Sequence, residues 1–162
     1  PRLDSFLYIM RIRYADGFEV RYDVAEDCRS CRLPRLTLQP IVENALDHGF
    51  ADMGDELGQL VIQAARQGDF LCLEVEDNGC GMTPEQVDAV LRGRPLGADT
   101  GHGIGLKNVL ARLRLHFGGE SNLLIESVPG QGTRITIRLP WQAVAPQTTK
   151  EELSHDPNPD CR

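Results

Sequence analysis

Gln59-Leu60-Val61-Ile62-Gln63-Ala64-Ala65-Arg66, then Gln67-Gly68-Asp69, then Phe70-Leu71-Cys72-Leu73-Glu74-Val75-Glu76-Asp77: two strand-length apolar runs flank a glycine turn. The pattern predicts a β-hairpin over 59–77. A second pair of runs, 122–128 and 133–139, flanks Pro129-Gly130-Gln131-Gly132 and predicts another. Strands joined by such short turns are antiparallel, so an all-parallel doubly wound sheet is excluded.

Outward from the hairpins, the rest of the chain alternates helix and strand. Leu3, Phe6, Leu7, Met10 and Tyr14 recur at helical spacing and predict a helix over 3–14, ended by an Asp16-Gly17 turn. Phe18, Val20, Tyr22 and Val24 alternate with polar residues and predict a strand. Pro34 introduces a second helix, roughly 35–48, with Leu36, Ile41, Val42, Ala45 and Leu46 along one side and Gly49 placed to end it. Thr83-Pro84-Glu85 starts a short helix over 84–91; Ile104, Leu106, Val109, Leu110, Leu113 and Phe117 give another over 104–117. Between them, Arg92 to Gly103 is rich in glycine and predicts a mobile loop. The expected fold class is α+β: a two-layer sandwich of a mixed β-sheet with helices on one face.

The chain has 162 residues, one domain by size, with 24 acidic against 17 basic residues and a net charge of -7. That balance argues against a general nucleic-acid or anionic-membrane binder. No apolar run reaches the ~18 residues of a membrane span. The first residue is Pro1 rather than an initiator Met, so the chain is read as a piece of a longer protein. Five cysteines at irregular spacing do not suggest a disulfide framework, and a reduced, cytoplasmic setting fits best. Cys28 and Cys31 form a C-x-x-C pair without the two further ligands that a structural zinc needs, and read as a surface turn. From Ala145 onward the chain is polar, contains three prolines and shows no periodicity, which predicts a disordered tail.

Chemistry concentrates in four places. On the 35–48 helix, Asn44 and His48 are four residues apart and share a face. Asn44 offers an amide oxygen suited to magnesium or its water, and the adjacent Glu43 could accept a proton from an attacking group. Asp77 ends an apolar strand, where a carboxylate can point into a cleft and accept from an adenine amino group. Gly79 and Gly81 behind it permit tight turns and close approach. Gly101-His102-Gly103-Ile104-Gly105-Leu106-Lys107 runs into a helix N-terminus, whose free N–H groups and dipole favour anions; Lys107 and Arg94 could add charge. No G-K-[ST] follows and no strand leads directly in, so it is neither a Walker A loop nor a dinucleotide fingerprint. In Gly130-Gln131-Gly132-Thr133, Thr133 could bond to the Asp77 carboxylate. Taken singly, these read equally as a solvated helix face, glycine turns and a hairpin. Taken in order, they supply what a nucleoside triphosphate with magnesium requires.

The order of Glu43-Asn44-Ala45-Leu46-Asp47-His48-Gly49, Asp77-Asn78-Gly79-Cys80-Gly81-Met82, Gly101 to Asn108 and Gly130 to Thr133 resembles the N box and glycine boxes of the GHKL superfamily. That superfamily includes gyrase, Hsp90, MutL and histidine kinases. Pro34 to Gly49 is similar to the P-x-L-x-L-Q-P-L-V-E-N-A-x-x-H-G of LytS/YesM-type sensor histidine kinases. Gly103-Ile104-Gly105-Leu106-Lys107-Asn108-Val109-Leu110-Ala111-Arg112-Leu113 is similar to that group's G-I-G-L-x-N-V-x-x-R-L. The likeness spans about residues 3–140.

The resemblance implies a Bergerat-type ATP fold, with ATP and Mg2+ as cofactors. It implies Asn44 on the metal, Asp77 on the adenine N6, and a lid from Met82 to His102. The phosphates would lie against Gly103, Ile104, Gly105 and Leu106, and Glu43 would serve as base for the phosphoacceptor histidine. His48, Gly79, Gly81, Gly101, Lys107 and Thr133 complete the expected nucleotide site. Residues 1–15 would be the end of a dimerisation helix, 16–142 the catalytic domain and 143–162 the tail. The expected function is transfer of the γ-phosphoryl of ATP to a histidine on an upstream helix, for relay to a response regulator. The parent protein would be a homodimer and membrane-anchored. None of His48, His102, His116 or His155 has the context of the phosphoacceptor. Asp47 stands where this group often carries a basic residue, which lowers local attraction for phosphate. The alternatives are a nucleotide-dependent partner-binding module, like the anti-sigma-factor serine kinases, and an ATP hydrolase of the gyrase or Hsp90 kind.

Overall fold

Both predicted hairpins form. The computed structural model describes residues 2–14, 17–50, 53, 56–94 and 104–145. Strands β2 (Gly58–Gln67) and β3 (Phe70–Asp77) pair antiparallel, with Gln67 opposite Phe70 across a turn in which Gly68 has φ 60°. Strands β4 (Asn122–Val128) and β5 (Gly132–Pro140) form the second hairpin, and β5 also pairs antiparallel with β3. Strand β1 (Phe18–Val24) joins β2 in parallel. The sheet order is β1-β2-β3-β5-β4, a mixed sheet as expected.

Period-2 patterning decides which face is covered. Leu60 and Ile62 of β2, Leu71, Leu73 and Val75 of β3, and Ile135, Ile137 and Leu139 of β5 are buried on one face. Against them lie Ile41, Val42, Ala45 and Leu46, with Val90, Val109 and Leu113 from the later helices. Each fully buried aliphatic side chain contributes about 1.5–3 kcal/mol of transfer free energy. The opposite face is polar: Arg134 reaches Glu74 at 3.2 Å and Glu76 at 2.9 Å.

The helices that cover the core face also position the site. Helix α1 (Arg2–Arg13) packs Leu7 inward, with Phe6, Met10 and Tyr14 at its margin. Helix α2 (Gln39–Asn44) continues as a π-helical turn, Ala45–Gly49. Helix α3 (Pro84–Arg92) starts with a Thr83–Gln86 capping box and stops at Gly93, which takes the left-handed conformation. Helix α4 (Ile104–Phe117) follows, and a short helix α5 (Trp141–Val144) closes the described chain. No helix among the described residues is long and apolar enough to cross a membrane.

Three expectations shift. The second helix begins at Gln39, not near 35, because Leu36 sits at φ 61° and Thr37 Oγ1 turns back to donate to the Pro34 carbonyl at 2.8 Å. The packed part runs past 142: Val144 is fully buried and its carbonyl accepts from the Arg32 N–H at 2.8 Å. Of the expected tail, 146–162 lies outside the described residues. Cys28 is buried in the core rather than on a surface turn. Burial, then Asp27, pushes its thiol up to about 11, so it stays protonated and a poor metal ligand at neutral pH.

Candidate functional site

Three of the four sequence motifs meet through their backbones. Asp77, the last residue of β3, stands opposite Thr133 of β5. Its Oδ1 accepts the Gly79 N–H at 3.0 Å and the Thr133 N–H at 3.2 Å. The side chain is buried, and among the described residues Oδ2 accepts no hydrogen bond. Burial raises its pKa above the ordinary carboxylate value, and the two N–H donors work in the opposite direction.

The glycines are there for contact between chain segments. A Cβ on Gly79 would lie 2.2 Å from the Gly49 carbonyl oxygen, which also accepts the Cys80 N–H at 2.8 Å. Gly81, at φ 65°, would place a Cβ 2.0 Å from the Val128 carbonyl oxygen. A Cβ on Gly49 would come within 3.1 Å of Asp77 Oδ1. The end of the α2 segment, the turn after β3 and the start of β5 therefore pack backbone on backbone around one buried carboxylate. The sequence suggested close ligand approach at Gly79 and Gly81; the structure shows close approach of the protein to itself.

Thr133 serves Asp77 through its backbone N–H. Its hydroxyl lies 2.8 Å from Ser127 Oγ, which donates to the Gly132 carbonyl at 2.9 Å and accepts from the Met82 N–H at 2.8 Å. Ser127 thus ties the residue after the glycine turn to β5. Sequence reasoning missed it, since a serine in an alternating strand carries no distinctive signal.

The second wall belongs to α2 and α4. Pro40, Glu43, Asn44, Asp47, His48, Gly105 and Leu106 line a cleft of about 130 Å3. The π turn holds one more residue per hydrogen-bonded loop, with the Phe50 N–H bonding back to the Ala45 carbonyl at 3.0 Å. Both Asp47 and His48 line the cleft, whereas the sequence reading placed only His48 beside Asn44. Gln39 Nε2, one turn earlier, donates to Glu43 Oε1 at 2.9 Å, which fixes the carboxylate next to Asn44. Asp47 Oδ1 accepts from the Tyr14 hydroxyl at 2.5 Å and lies 3.9 Å from the Arg13 guanidinium, so the C-terminal end of α1 is fastened to this wall. Burial, then the Asp47 carboxylate, pushes the Tyr14 hydroxyl up to about 12.

The structure brings together Glu43, Asn44, His48, Gly105 and Leu106 on one wall and Asp77, Gly79, Gly81 and Thr133 on the other, joined at Gly49. It does not bring Lys107 to the cleft: its side chain lies against Gly93 at the end of α3. Gly101, Gly103, the side chain of Ile104 and the expected lid from residue 95 to His102 lie outside the described residues. Among the described residues no three His, Cys, Asp or Glu side chains converge as a metal cage. The donors on the wall are an amide oxygen and carboxylates, which suit magnesium held by one or two protein oxygens with phosphate and water completing its shell.

The family model of the "Histidine kinase-, DNA gyrase B-, and HSP90-like ATPase" matches residues 32–143. The chain is 34% identical over 140 residues to the sensor histidine kinase BtsS of Escherichia coli K12, covering 86% of this chain and 22% of that protein. It is 35% identical over 135 residues to the sensor histidine kinase YesM of Bacillus subtilis, covering 83% of this chain and 22% of that protein. It thus spans less than a quarter of the length of these relatives. The solved mycobacterial sensor histidine kinase MprB superposes with a TM-score of 0.64 at 19% identity, covering 89% of this chain and 93% of that one. That likeness establishes the shared fold.

Proposed function

Because the chain belongs to the histidine kinase-, DNA gyrase B- and HSP90-like ATPase family, we propose that it holds Mg2+-ATP for phosphoryl transfer to a histidine on an upstream helix of its parent protein. The observation that carries this reading is the joining of two walls at Gly49. One is a buried carboxylate with an oxygen left over for an adenine amino group. The other is an oxygen-donor cleft beneath a helix N-terminus.

Each residue then has a task. Asp77 Oδ2 accepts from the adenine amino group while Oδ1 stays with Gly79 and Thr133. Gly105 and Leu106, in the first turn of α4, face the phosphates with the positive end of the helix dipole. Asn44 offers its amide oxygen to the metal, which when bound neutralises charge on the phosphate oxygens. Glu43, held by Gln39, accepts the imidazole proton as the ring nitrogen bonds to the γ-phosphorus and ADP departs. Relay to a response regulator, a homodimeric parent and its membrane anchoring, with this domain on the cytoplasmic side, belong to the same proposal.

The test is calorimetric titration with ATP and ADP, with and without magnesium, followed by adding the upstream helix in trans and assaying acid-labile phosphohistidine. Binding that depends on magnesium and is lost in Asn44→Ala is expected. Binding that Asn44→Ala leaves unchanged removes Asn44 from the metal role, and no binding at all overturns the reading.

A further inference from the structure

Leu36 is the only non-glycine with positive φ among the described residues, at 61°. The left-handed conformation puts an L residue's Cβ against the following carbonyl, which disfavours it by about 5- to 30-fold in population. Burial does not supply the compensation, because the Leu36 side chain is 52% exposed. Something else must hold the turn.

Arg112, on the third turn of α4, is the group that does. Its NH1 donates to the Arg35 carbonyl at 2.6 Å and approaches the Leu36 carbonyl at 3.4 Å. The buried Thr37 hydroxyl closes the same turn onto Pro34 at 2.8 Å. Helix α2 starts directly behind. Its cap residue, Leu38, makes no side-chain capping bond, and the Ile41 and Val42 N–H groups return to the Leu38 carbonyl. With no capping side chain, the turn before it acts with the buried Ile41 and Val42 to set the direction of this short helix. That direction aims Glu43 and Asn44.

The same helix α4 builds the opposing wall. Gly105 lies seven residues before Arg112, two turns along and on the same side. A Cβ there would sit 3.5 Å from the Pro40 side chain, so α4 meets the start of α2 at Gly105 as well as at the turn. Arg112 itself does not line the cleft. We propose that Arg112 is a positioning residue: by clamping the Arg35 and Leu36 carbonyls it holds a strained turn that sets the α2 donors, Glu43 and Asn44, against the α4 wall. This rests on the Mg2+-ATP reading of the cleft.

The readout is the magnesium increment, the ratio of ATP affinity with magnesium to that without, measured by calorimetry on the whole chain. Arg112→Ala should lower it by about 5- to 30-fold, the bias against a left-handed Leu. Magnesium-free ADP binding should stay within about 2-fold, since Asp77 lies apart from the turn. Arg112→Lys should be intermediate, because an ammonium cannot reproduce the planar geometry of the guanidinium. Glycine adopts φ 61° without strain, so adding Leu36→Gly to Arg112→Ala should restore the increment. A purely structural role for Arg112 would not be rescued in this way.

An unchanged increment in Arg112→Ala, or no rescue by Leu36→Gly, overturns the proposal. If the single variant does not fold, the double variant must; failure of both to fold assigns Arg112 to general stability and also overturns it. An absent increment in the wild type, or one that Asn44→Ala does not touch, brings down the reading of the cleft and this proposal together. A wild-type increment that Asn44→Ala abolishes and Arg112→Ala keeps brings down this proposal alone.

Discussion

Asp77→Asn should separate recognition from stability, moving them in opposite directions. Asparagine is nearly isosteric, and its carbonyl can still accept the Gly79 and Thr133 N–H groups that Oδ1 accepts now. What changes is the other atom: an NH2 donor replaces an acceptor oxygen where the adenine amino group would arrive. A hydrogen bond to a charged group contributes about 1.5–3 kcal/mol, so ADP affinity should fall by about 10- to 150-fold. Guanine presents an oxygen at the equivalent ring position, so the preference for ADP over GDP should narrow as well.

Stability should go the other way. Burial raises the folded-state pKa of Asp77 above its unfolded value, so the fold favours the protonated carboxyl. That contribution is present below the unfolded pKa and is lost as pH rises through the folded one. At neutral pH the ionised carboxylate therefore costs the nucleotide-free protein stability, a cost the amide does not carry. The variant should melt higher than the wild type near pH 7, and the gap should close toward acid. Titration calorimetry with ADP and GDP, paired with melts across the acid-to-neutral range, reads both effects. Unchanged ADP affinity would refute the adenine role. A variant that melts lower at neutral pH, with the deficit shrinking at acid pH, would show that the charge is structural and refute the sign argued here.

Three further outcomes follow from the same geometry. Glu43→Gln should leave affinity for magnesium-bound nucleotide within about 2-fold but slow phosphohistidine formation by about 100-fold or more, because an amide cannot take the proton; equal loss of binding would count against a base. Asp47→Asn should return the Tyr14 hydroxyl from about 12 toward the ordinary value near 10, visible in ultraviolet titration of the phenol; an unmoved titration would show that Asp47 is not its partner. Gly79→Ala should cost about 2–3 kcal/mol, since its Cβ would meet the Gly49 backbone oxygen at 2.2 Å. Gly130→Ala, in open space at φ 74°, should cost only about 1 kcal/mol in the same thermal melts.

The hairpins were legible because period-2 alternation and glycine turns are local signals, and each strand pair lies within one window of sequence. The beginning of α2 was not. Leu36 is apolar, follows a proline and continues a helical spacing, so every local cue extends the helix across 35–38. The left-handed turn is contacted by Arg112 from 76 residues away, which no local window contains. The π turn escaped for a related reason: nothing local in Ala45 to Gly49 marks a wider loop, and its last residue, Gly49, packs against Gly79 and Asp77 about 30 residues away. Thr133 was expected to bond to Asp77 with no atom named, and the backbone N–H that makes the bond has a direction on which sequence is silent. The Tyr14–Asp47 bond joins residues 33 apart that carry no paired signal.

Charge decides how the cleft can accept a triphosphate. Among the described residues its wall carries two carboxylates, Glu43 and Asp47, and no lysine or arginine. A polyphosphate arriving there meets like charge unless something offsets it. Gln39 donates to one carboxylate and the Tyr14 hydroxyl to the other, with the Arg13 guanidinium nearby. Hydrogen bonds spread the charge without cancelling it, and Arg13 is too exposed to do so alone. The remaining offsets are the N-terminal dipole of α4, equivalent to about half a charge, and a divalent cation. A half charge against two carboxylates is insufficient, so the cation has to do most of the work. The larger share of ATP affinity should therefore appear only with magnesium, and Asp47→Asn should shrink that share by raising magnesium-free affinity. Asp47 would then be less a defect in a phosphate site than the reason the site demands its metal, held in place by Tyr14 at the end of α1.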